Sequence, residues 1–408
     1  MLNGYKIRYI DMKKRILLVN KFYYARGGDC VCTLNLERLL KSKGWEVAMY
    51  AMDYPENIES EWSKYFASEV SFAGGVKAKV NAAKRLLGFG DIKASFTKIL
   101  KDFRPDIVHL QNIHSYLSPI LAKLAKDFGC RVVWTLHDYK LLCPSYSCLR
   151  DGKPCELCFK DKSNVLKTRC MKGSLVASAL AYVEALKWNR ACIEQYVDDF
   201  VCPSTFMAHK MKQGGFEESK LNVICNFVDP VKLELFKNMP VDKREQYYLY
   251  VGRLSEEKGV NTLLEVASKL PFKLKVAGGG PLAEEFKAKY SNNSNIEFLG
   301  HQKAEQVSEL LAGAVVSVVP SECYENNPLS AIESLCAGTP VIGAKIGGVP
   351  ELIKDGQGLV FESGNKLELA DVINKAFSCE WNNEKIKANS FERFSPEKYF
   401  ELIQKVYH

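Results

Sequence analysis

The first half of the chain alternates short apolar runs with longer amphipathic segments. Residues 15–20 predict a buried strand, and a Gly27-Gly28 turn leads into a predicted helix over about residues 29–43, which Gly44 ends. Further apolar runs predict strands at residues 45–51, 106–110, 131–136 and 200–203, with helices between some of them. Strands that alternate with helices indicate a parallel sheet covered on both faces.

The second half repeats this alternation. Its apolar runs predict strands at residues 247–251, 272–277, 296–299, 315–319 and 340–343, with a helix after Lys258. Residues 226–245 are polar, contain proline and lack a clear period, so we predict a linker there. The pattern therefore predicts two doubly wound α/β domains with a ligand cleft between them.

The composition is that of a globular protein. The chain has 408 residues, of which 47% are apolar, and this length suggests two or three domains. No run reaches the roughly 18 apolar residues that span a membrane. Residues 1–11 are polar without a signal-peptide core, so we expect a loose extension and a cytoplasmic protein. The 14 cysteines then favour free thiols or metal ligands over disulfides.

The positive charge belongs to the first half. Residues 1–203 contain 32 Lys and Arg against 21 Asp and Glu, whereas residues 204–408 contain 24 against 27. The simplest explanation is a solvated surface, and the alternative is a surface that faces an anionic membrane or a phosphorylated acceptor. No nucleic-acid-binding motif accompanies the charge, so we expect no nucleic acid partner.

One basic segment has two interpretations. Residues 75–104 carry eight Lys and Arg against two Asp, interleaved with apolar residues. The pattern is typical of surface helices packed on a sheet, and also of an amphipathic surface for anionic lipid. We expect packed helices rather than insertion, with weak membrane attraction of the whole domain.

The most informative segment follows the apolar run 315–319. Pro320 ends the predicted strand, and Asn327 and Pro328 suit the N-cap and first position of a helix. Glu325 then lies in the loop, and Glu333 lies about 9 Å along the helix axis from the cap. A helix N-terminus attracts phosphate, so two carboxylates around it fit a sugar–diphosphate–ribose ligand.

Two glycine-containing turns also follow predicted strands. Arg253 and Lys258 lie in the turn after residues 247–251, where both can reach a diphosphate. Gly278-Gly279-Gly280 follows residues 272–277 and permits close backbone approach to a ligand. Each turn alone is a weak signal, but together with the two glutamates they favour a binding site.

The order of these motifs, with Gly27-Gly28, His137-Asp138 and residues 337–342, resembles retaining glycosyltransferases of the GT-B fold, family four. The similarity covers nearly the whole chain. It implies two Rossmann-like domains across a cleft: an acceptor-binding domain at 1–225, completed by a C-terminal helix at 395–408, and a nucleotide-sugar-binding domain at 246–394. Residues 226–245 would link them.

The resemblance assigns roles to matching residues. His137, Glu325, Arg253 and Lys258 would be catalytic, with Arg253 and Lys258 on the diphosphate, Glu325 on the donor sugar and His137 projecting into the cleft. The donor-binding residues would be Gly27, Gly28, Gly279, Asn327, Leu329, Ser330 and Glu333, the last on the ribose hydroxyls. Many members have Gly-Phe-Gly after the first glutamate, whereas this chain has Asn326-Asn327-Pro328, which leaves the donor sugar open.

Five cysteines lie within residues 143–170. The Cys155-x-x-Cys158 spacing suits zinc, and the predicted structural zinc ligands are Cys143, Cys155, Cys158 and Cys170, with Cys148 as a substitute. The alternative is a set of thiols without metal.

Three polar residues near the predicted strand end at residue 110 have open roles. His109, Asn112 and His114 are candidates to line the acceptor cleft. His109 is equally well explained as a core histidine, whereas the cleft is the better explanation for His114.

The resulting expectation is a hexosyltransferase-type enzyme (EC 2.4) that needs no catalytic metal. It would move a sugar from a UDP- or GDP-sugar to a glycan or lipid-linked acceptor in bacterial cell-surface polysaccharide synthesis. Its place would be the cytoplasm or the inner face of the cytoplasmic membrane. The alternatives are a GT-B epimerase or phosphorylase, and a non-catalytic protein that binds zinc and polyanions.

Overall fold

The computed structural model describes residues 14–408, and the predicted extension at residues 1–11 lies outside them. The first half forms a six-stranded parallel sheet in the order β2-β1-β3-β4-β7-β8. That sheet and a small inserted hairpin contain β1 (Arg15–Val19), β2 (Glu46–Tyr50), β3 (Ile107–Leu110), β4 (Arg131–Thr135), β5 (Leu149–Arg150), β6 (Lys153–Pro154), β7 (Asp199–Cys202) and β8 (Leu221–Val223).

The second half forms another six-stranded parallel sheet, in the order β11-β10-β9-β12-β13-β14. Its strands are β9 (Glu245–Val251), β10 (Lys273–Ala277), β11 (Ile296–Gly300), β12 (Ala314–Val319), β13 (Val341–Ala344) and β14 (Gly358–Phe361). These two parallel sheets confirm the predicted pair of doubly wound α/β domains. Every strand predicted from the apolar runs is present, with shifts of a residue or two at its ends.

Helices connect the strands of both sheets. They are α1 (Gly28–Ser42), α2 (Val76–Leu86), α3 (Ile92–Phe103), α4 (Ile120–Asp127), α5 (Leu157–Lys160), α6 (Asn164–Lys167), α7 (Leu175–Lys187), α8 (Arg190–Tyr196), α9 (Thr205–Gln213), α10 (Pro230–Asn238), α11 (Val260–Ala267), α12 (Ala283–Lys289), α13 (Ala304–Gly313), α14 (Leu329–Cys336), α15 (Val349–Leu352), α16 (Lys366–Ser378), α17 (Asn383–Phe394) and α18 (Pro396–Tyr407). None of these helices is both long and apolar enough to cross a bilayer.

Each sheet is buried on both faces. Successive side chains of a strand point to opposite faces, and in β1 Leu17 and Val19 pack into one apolar cluster while Ile16 and Leu18 pack into another. This explains why the strands appear in the sequence as continuous apolar runs rather than alternating ones.

The predicted linker at residues 226–245 is more structured than expected. It contains helix α10, whose N-cap Asp229 accepts a hydrogen bond from the backbone N–H of Val231 at 2.8 Å. The segment in which we predict the linker therefore includes a helix at residues 230–238. The helix escaped detection because Phe236 is its only buried residue, which leaves no apolar stripe in the sequence.

The C-terminal helix α18 packs on the first sheet. Tyr399, Ile403, Val406 and Tyr407 join the apolar cluster that contains Ile16 and Leu18. The chain thus crosses between the domains twice. The crossings are adjacent, since the backbone N–H of Val228 donates to the carbonyl of Phe394 at 3.0 Å.

His109 is a core residue and does not reach the cleft. Its Nδ1 lies 2.7 Å from the hydroxyl of Tyr407 and its Nε2 lies 2.8 Å from the hydroxyl of Thr135. Burial lowers the pKa of His109 to about 3. The histidine therefore ties the last helix to the centre of the sheet as a neutral imidazole.

We predict that His109 makes the fold acid-sensitive. Between pH 6.5 and about 3 the unfolded chain binds a proton that the native imidazole does not, so stability falls as the pH drops through that window. The loss is about 1.4 kcal/mol per pH unit. Urea unfolding at pH 7 and pH 5 should give a smaller difference for His109→Gln, whereas the exposed-site control His209→Gln should match the unsubstituted protein.

Candidate active site

Three of the predicted site residues lie in the loops that follow two neighbouring strands of the second sheet. Strand order reverses between β9 and β12, and at such a switch point the loops after the strands separate and leave a crevice. The turn after β9 carries Arg253 and Lys258, and the loop after β12 carries Glu325. The fold thus brings together residues that are about seventy positions apart in the sequence.

Glu325 and Lys258 are in direct contact. The Glu325 Oε1 atom lies 2.5 Å from Lys258 Nζ and 2.7 Å from the hydroxyl of Ser321. Burial lowers the pKa of Lys258, but the Glu325 carboxylate together with Cys323 and Glu257 offsets this, and the pKa is raised. The lysine is therefore a permanent cation beside the acid that the resemblance assigns to the donor sugar.

Two glycines that the sequence analysis did not single out support the Glu325 loop. The backbone N–H of Gly348 donates to the Glu325 carbonyl at 2.7 Å. A Cβ atom on Gly347, whose φ is +59°, would lie 2.1 Å from that carbonyl oxygen, and one on Gly348 would lie 2.0 Å from the Asn326 oxygen. Their signal in the sequence was a Gly-Gly pair shortly after a predicted strand.

Glu333 lies on the helix that follows the Glu325 loop and forms an ion pair with a different lysine. It is 8% exposed on α14, and its Oε1 atom lies 2.5 Å from Lys232 Nζ on α10. A buried carboxylate is costly unless it is paired, so Lys232 compensates Glu333 as Lys258 compensates Glu325. Lys232 was missed because α10 lay in the segment predicted to be irregular.

Asn327 does not cap the helix after the Glu325 loop, contrary to prediction. Helix α14 begins at Leu329, Pro328 occupies the N-cap, and no side chain caps this end. Asn327 instead turns to the first crossing, where its Oδ1 accepts from the backbone N–H of Asn226 at 3.0 Å. Asn226 in turn donates its side-chain amide to the Asn327 carbonyl at 3.0 Å.

The remaining donor-side residues are open to a ligand. Arg253 is exposed, and its guanidinium forms no ion pair or hydrogen bond within residues 14–408. A Cβ atom on Gly279 would meet no atom within 4 Å, whereas one on Gly278 would lie 1.9 Å from the carbonyl oxygen of Gly252. The two glycine turns therefore pack backbone to backbone and leave Arg253 and Gly279 facing outward.

His137 follows β4 in the first domain. Its Nε2 lies 2.8 Å from the side-chain oxygen of Gln111, a residue that the sequence analysis did not select. Burial lowers the pKa of His137, and the carboxylates of Asp29 and Asp138 oppose this only in part. The imidazole is therefore neutral at pH 7.

The glycine turn at residues 27–28 leads into α1. Gly27 precedes the helix in extended conformation, and a Cβ on Gly28 would meet nothing within 4 Å. The next residue, Asp29, lies 3.1 Å from Lys21 Nζ. The turn thus presents open space beside a charged pair at the carboxyl end of β1.

Asn112 and His114 join this polar site. The His114 Nε2 lies 3.8 Å from Asp138, and burial lowers the pKa of His114 to about 3. The Oδ1 of Asn112 and the Nδ1 of His114 are buried and have no partner among the described residues. Unpaired buried polar atoms are rare, so these two are candidates for ligand contacts.

The predicted zinc ligands lie in the cysteine segment, where several thiols interact with one another. The Cys143 thiol interacts with Cys148 and Cys158, while the Cys170 thiol lies 2.8 Å from the hydroxyl of Thr168. In the part of the chain that the structure describes, no three His, Cys, Asp or Glu side chains form a group that could hold a metal. Zinc stays a prediction from the sequence.

Comparison with known families identifies the chain. Residues 26–232 match the family described as Glycosyltransferase Family 4, and residues 231–393 match Glycosyl transferases group 1. The chain belongs to glycosyltransferase family 4. It is therefore an enzyme that transfers sugars, as the sequence predicted.

The chain is similar in sequence to proteins from different organisms. The chain is 28% identical over 217 residues to the uncharacterised glycosyltransferase MJ1178 of Methanocaldococcus jannaschii, covering 52% of this chain and 59% of that protein. It is 25% identical over 358 residues to an uncharacterised 42.6 kDa protein in the cps region of Klebsiella pneumoniae, covering 83% and 87%.

Solved structures share the GT-B fold of family 4. Sucrose-phosphate synthase from Thermosynechococcus elongatus superposes with a TM-score of 0.69 at 18% identity, covering 97% of this chain and 98% of that one. Anabaena HepE in complex with UDP superposes with a TM-score of 0.64 at 16% identity, covering 96% and 99%.

We predict that Gly347→Ala disables this family 4 enzyme by displacing Glu325. Transfer should fall about a hundredfold, because an ångström-scale shift of a catalytic group has effects of that size. Gly356→Ala is the matched control: its φ is also positive, at +77°, but no atom lies within 4 Å of the added Cβ. The control should lose about 1 kcal/mol of stability and keep its activity. Equal activity of the two variants would contradict the close contact at Gly347.

Proposed function

We propose that the protein transfers a sugar from a nucleotide diphosphate to an acceptor hydroxyl with retention of anomeric configuration. The observation that carries this is the Lys258–Glu325 contact at the switch point of the second sheet, with the unpaired Arg253 nearby. One cation and one acid in contact suit the junction between a diphosphate and a sugar. Structures of HepE with UDP and with UDP-glucose support a nucleotide-sugar donor.

In this reaction the charge that needs stabilisation is the negative charge on the departing diphosphate. The bond between the anomeric carbon and the diphosphate oxygen breaks, and the acceptor hydroxyl oxygen bonds to that carbon. The hydroxyl proton passes to the departing phosphate on the same face, which gives retention. Arg253, Lys258 and the uncapped N-terminus of α14 stabilise the negative charge that develops on the diphosphate.

The two carboxylates divide the donor between them. Glu325 orients the sugar hydroxyls and Glu333 binds the ribose hydroxyls, each in exchange for part of its contact with a lysine. The neutral His137 faces the transferred sugar from the acceptor domain, where it donates or accepts one hydrogen bond without adding charge.

We predict that two substitutions separate binding from transfer. Arg253→Ala should weaken nucleotide binding about tenfold, because a hydrogen-bonded charge pair contributes about 1.5–3 kcal/mol. Glu325→Ala should lower transfer about a hundredfold or more and leave nucleotide binding nearly unchanged. Calorimetry with UDP and GDP, with product analysis from a panel of nucleotide sugars, measures both effects.

The exposed lysine variant Lys354→Ala is the control and should resemble the unsubstituted protein. Normal transfer by Glu325→Ala would refute the assignment. An altered sugar nucleotide without a glycosylated acceptor would indicate an epimerase, and a sugar phosphate formed from a glycan and phosphate would indicate a phosphorylase.

We further propose that the acceptor domain docks on an anionic membrane during cell-surface polysaccharide synthesis. Val76 is 81% exposed on α2, and Val80 and Phe89 are also exposed. Lys187, at the end of α7, lies 4.6 Å from the Phe89 ring centroid, so α7 adjoins this surface. The surface around Val76, Val80 and Phe89 also exposes four lysines, Lys77, Lys79, Lys84 and Lys93. Exposed apolar residues among lysines suit an anionic bilayer.

Part of the basic segment has another role. Arg85 is buried and forms an ion pair with Asp91 at 2.5 Å, and Phe96 and Ile99 pack in the core. The proposed docking surface is therefore α2 and the turn at Phe89, rather than the whole of residues 75–104. The Klebsiella relative in the cps region and the fold shared with a lipopolysaccharide galactosyltransferase support the cell-surface role.

We predict that lipid binding depends on this surface. The protein should sediment with vesicles that contain phosphatidylglycerol and much less with phosphatidylcholine alone. Replacing Val76, Val80 and Phe89 together by serine should abolish the preference, whereas Leu367→Ser, at a site 80% exposed on the second domain, should not. Equal sedimentation with both lipids would remove the membrane proposal and leave the transfer reaction intact.

A further inference from the structure

The loop that carries Glu325 is held by the other domain on both sides of that residue. The hydroxyl of Tyr324 donates to Glu156 Oε1 at 2.7 Å. The side-chain amide of Asn326 donates to the carbonyl of Leu136 at 2.6 Å, and its oxygen accepts from the hydroxyl of Ser204 at 2.9 Å. Glu325 therefore lies between two anchors that both belong to the acceptor domain.

The Tyr324 side chain is held by both aromatic and charged residues of the acceptor domain. The Tyr324 ring packs against Phe206 at 4.9 Å and Tyr139 at 5.9 Å between centroids. Lys210 Nζ lies 2.6 Å from Glu156 and 5.5 Å from the Tyr324 ring centroid. The same Glu156 oxygen, Oε1, thus contacts the Lys210 cation and accepts the hydrogen bond from the tyrosine hydroxyl.

Glu156 belongs to the cysteine-rich segment after His137, and that segment has a defined shape. The hairpin β5–β6 lies within this segment, just before Glu156. The backbone N–H of Cys155 donates to the Cys148 carbonyl at 2.7 Å. Lys162 Nζ reaches back to the carbonyls of Leu141 and Leu142. The segment therefore presents Glu156 from a structured platform rather than from a free loop.

The Asn326 anchor connects the two sides of the reaction. Its partner Leu136 directly precedes His137, so one hydrogen bond fixes the distance between the loop of Glu325 and the strand end of His137. The residues proposed to bind the diphosphate and ribose, Arg253, Lys258 and Glu333, form no contact with either anchor within residues 14–408, although Lys258 contacts Glu325 itself. The two anchors are therefore separate from the proposed contacts with the donor.

We propose that Glu156 is a positioning residue that, through Tyr324, holds Glu325 in its catalytic orientation. This inference rests on the proposed function. The cysteine-rich segment is then the part of the acceptor domain that completes the donor site. Glu325 is aligned when the domains are together and loses its alignment when they separate, which links sugar transfer to domain closure.

The test removes the hydroxyl of Tyr324 and keeps its ring. Tyr324→Phe should lower kcat about tenfold or more, since hydrogen bonds to charged groups contribute about 1.5–3 kcal/mol. The KM for the donor and the affinity for the nucleotide should change less than twofold. Glu156→Ala should lower kcat similarly, and the double variant should be no worse than either single one, because both remove the same contact.

Tyr65→Phe is the matched control. Its hydroxyl donates to Asp102 at 2.7 Å, also a tyrosine–carboxylate pair, but one that lies wholly within the first domain. It should leave kcat unchanged. Normal kcat in Tyr324→Phe, an effect confined to KM, or additive losses in the double variant would overturn the inference. Failure of the unsubstituted protein to bind nucleotide or transfer sugar would instead overturn the proposed function.

Discussion

The direction of the parallel strands determines where this protein can carry out chemistry. Every strand of each sheet runs the same way, so all the loops at the carboxyl ends emerge at one edge. His137, Arg253 and Glu325 all follow such strand ends. The sheets themselves are buried on both faces and contribute rigidity, while the loops after the strands contribute His137, Arg253 and Glu325.

The carboxylates of the site are already paired with lysines. Glu325 and Glu333 each contact a lysine, and Glu156 contacts Lys210. Taking a carboxylate out of water without a partner would destabilise the loop that carries it. A donor that brings its own hydroxyl groups and negative charge can exchange partners with these pairs, so the pairs stabilise the loops without closing the site to a ligand.

Much of the architecture could be predicted because it depends on local pattern. Apolar runs located the strands, and glycine and proline located the turns after them. Residues whose importance arises from distant partners could not be found in this way. Lys232 lies on a helix with a single buried residue, which the sequence pattern does not reveal. Gln111 is recognisable as a site residue only from its contact with His137. Asn327 has good N-cap chemistry, but the nearby first crossing offered it better partners.

The two adjacent crossings between the domains restrict how the cleft can open. Val228 and Phe394 are hydrogen-bonded side by side, so the two chain crossings form one narrow seam, about which a rotation of the domains would pivot. Displacement in such a rotation grows with distance from the seam. The Asn226–Asn327 contact, formed by the first crossing itself, moves least. A few degrees of opening therefore leave the seam intact while separating the domains most at the far edge of the cleft.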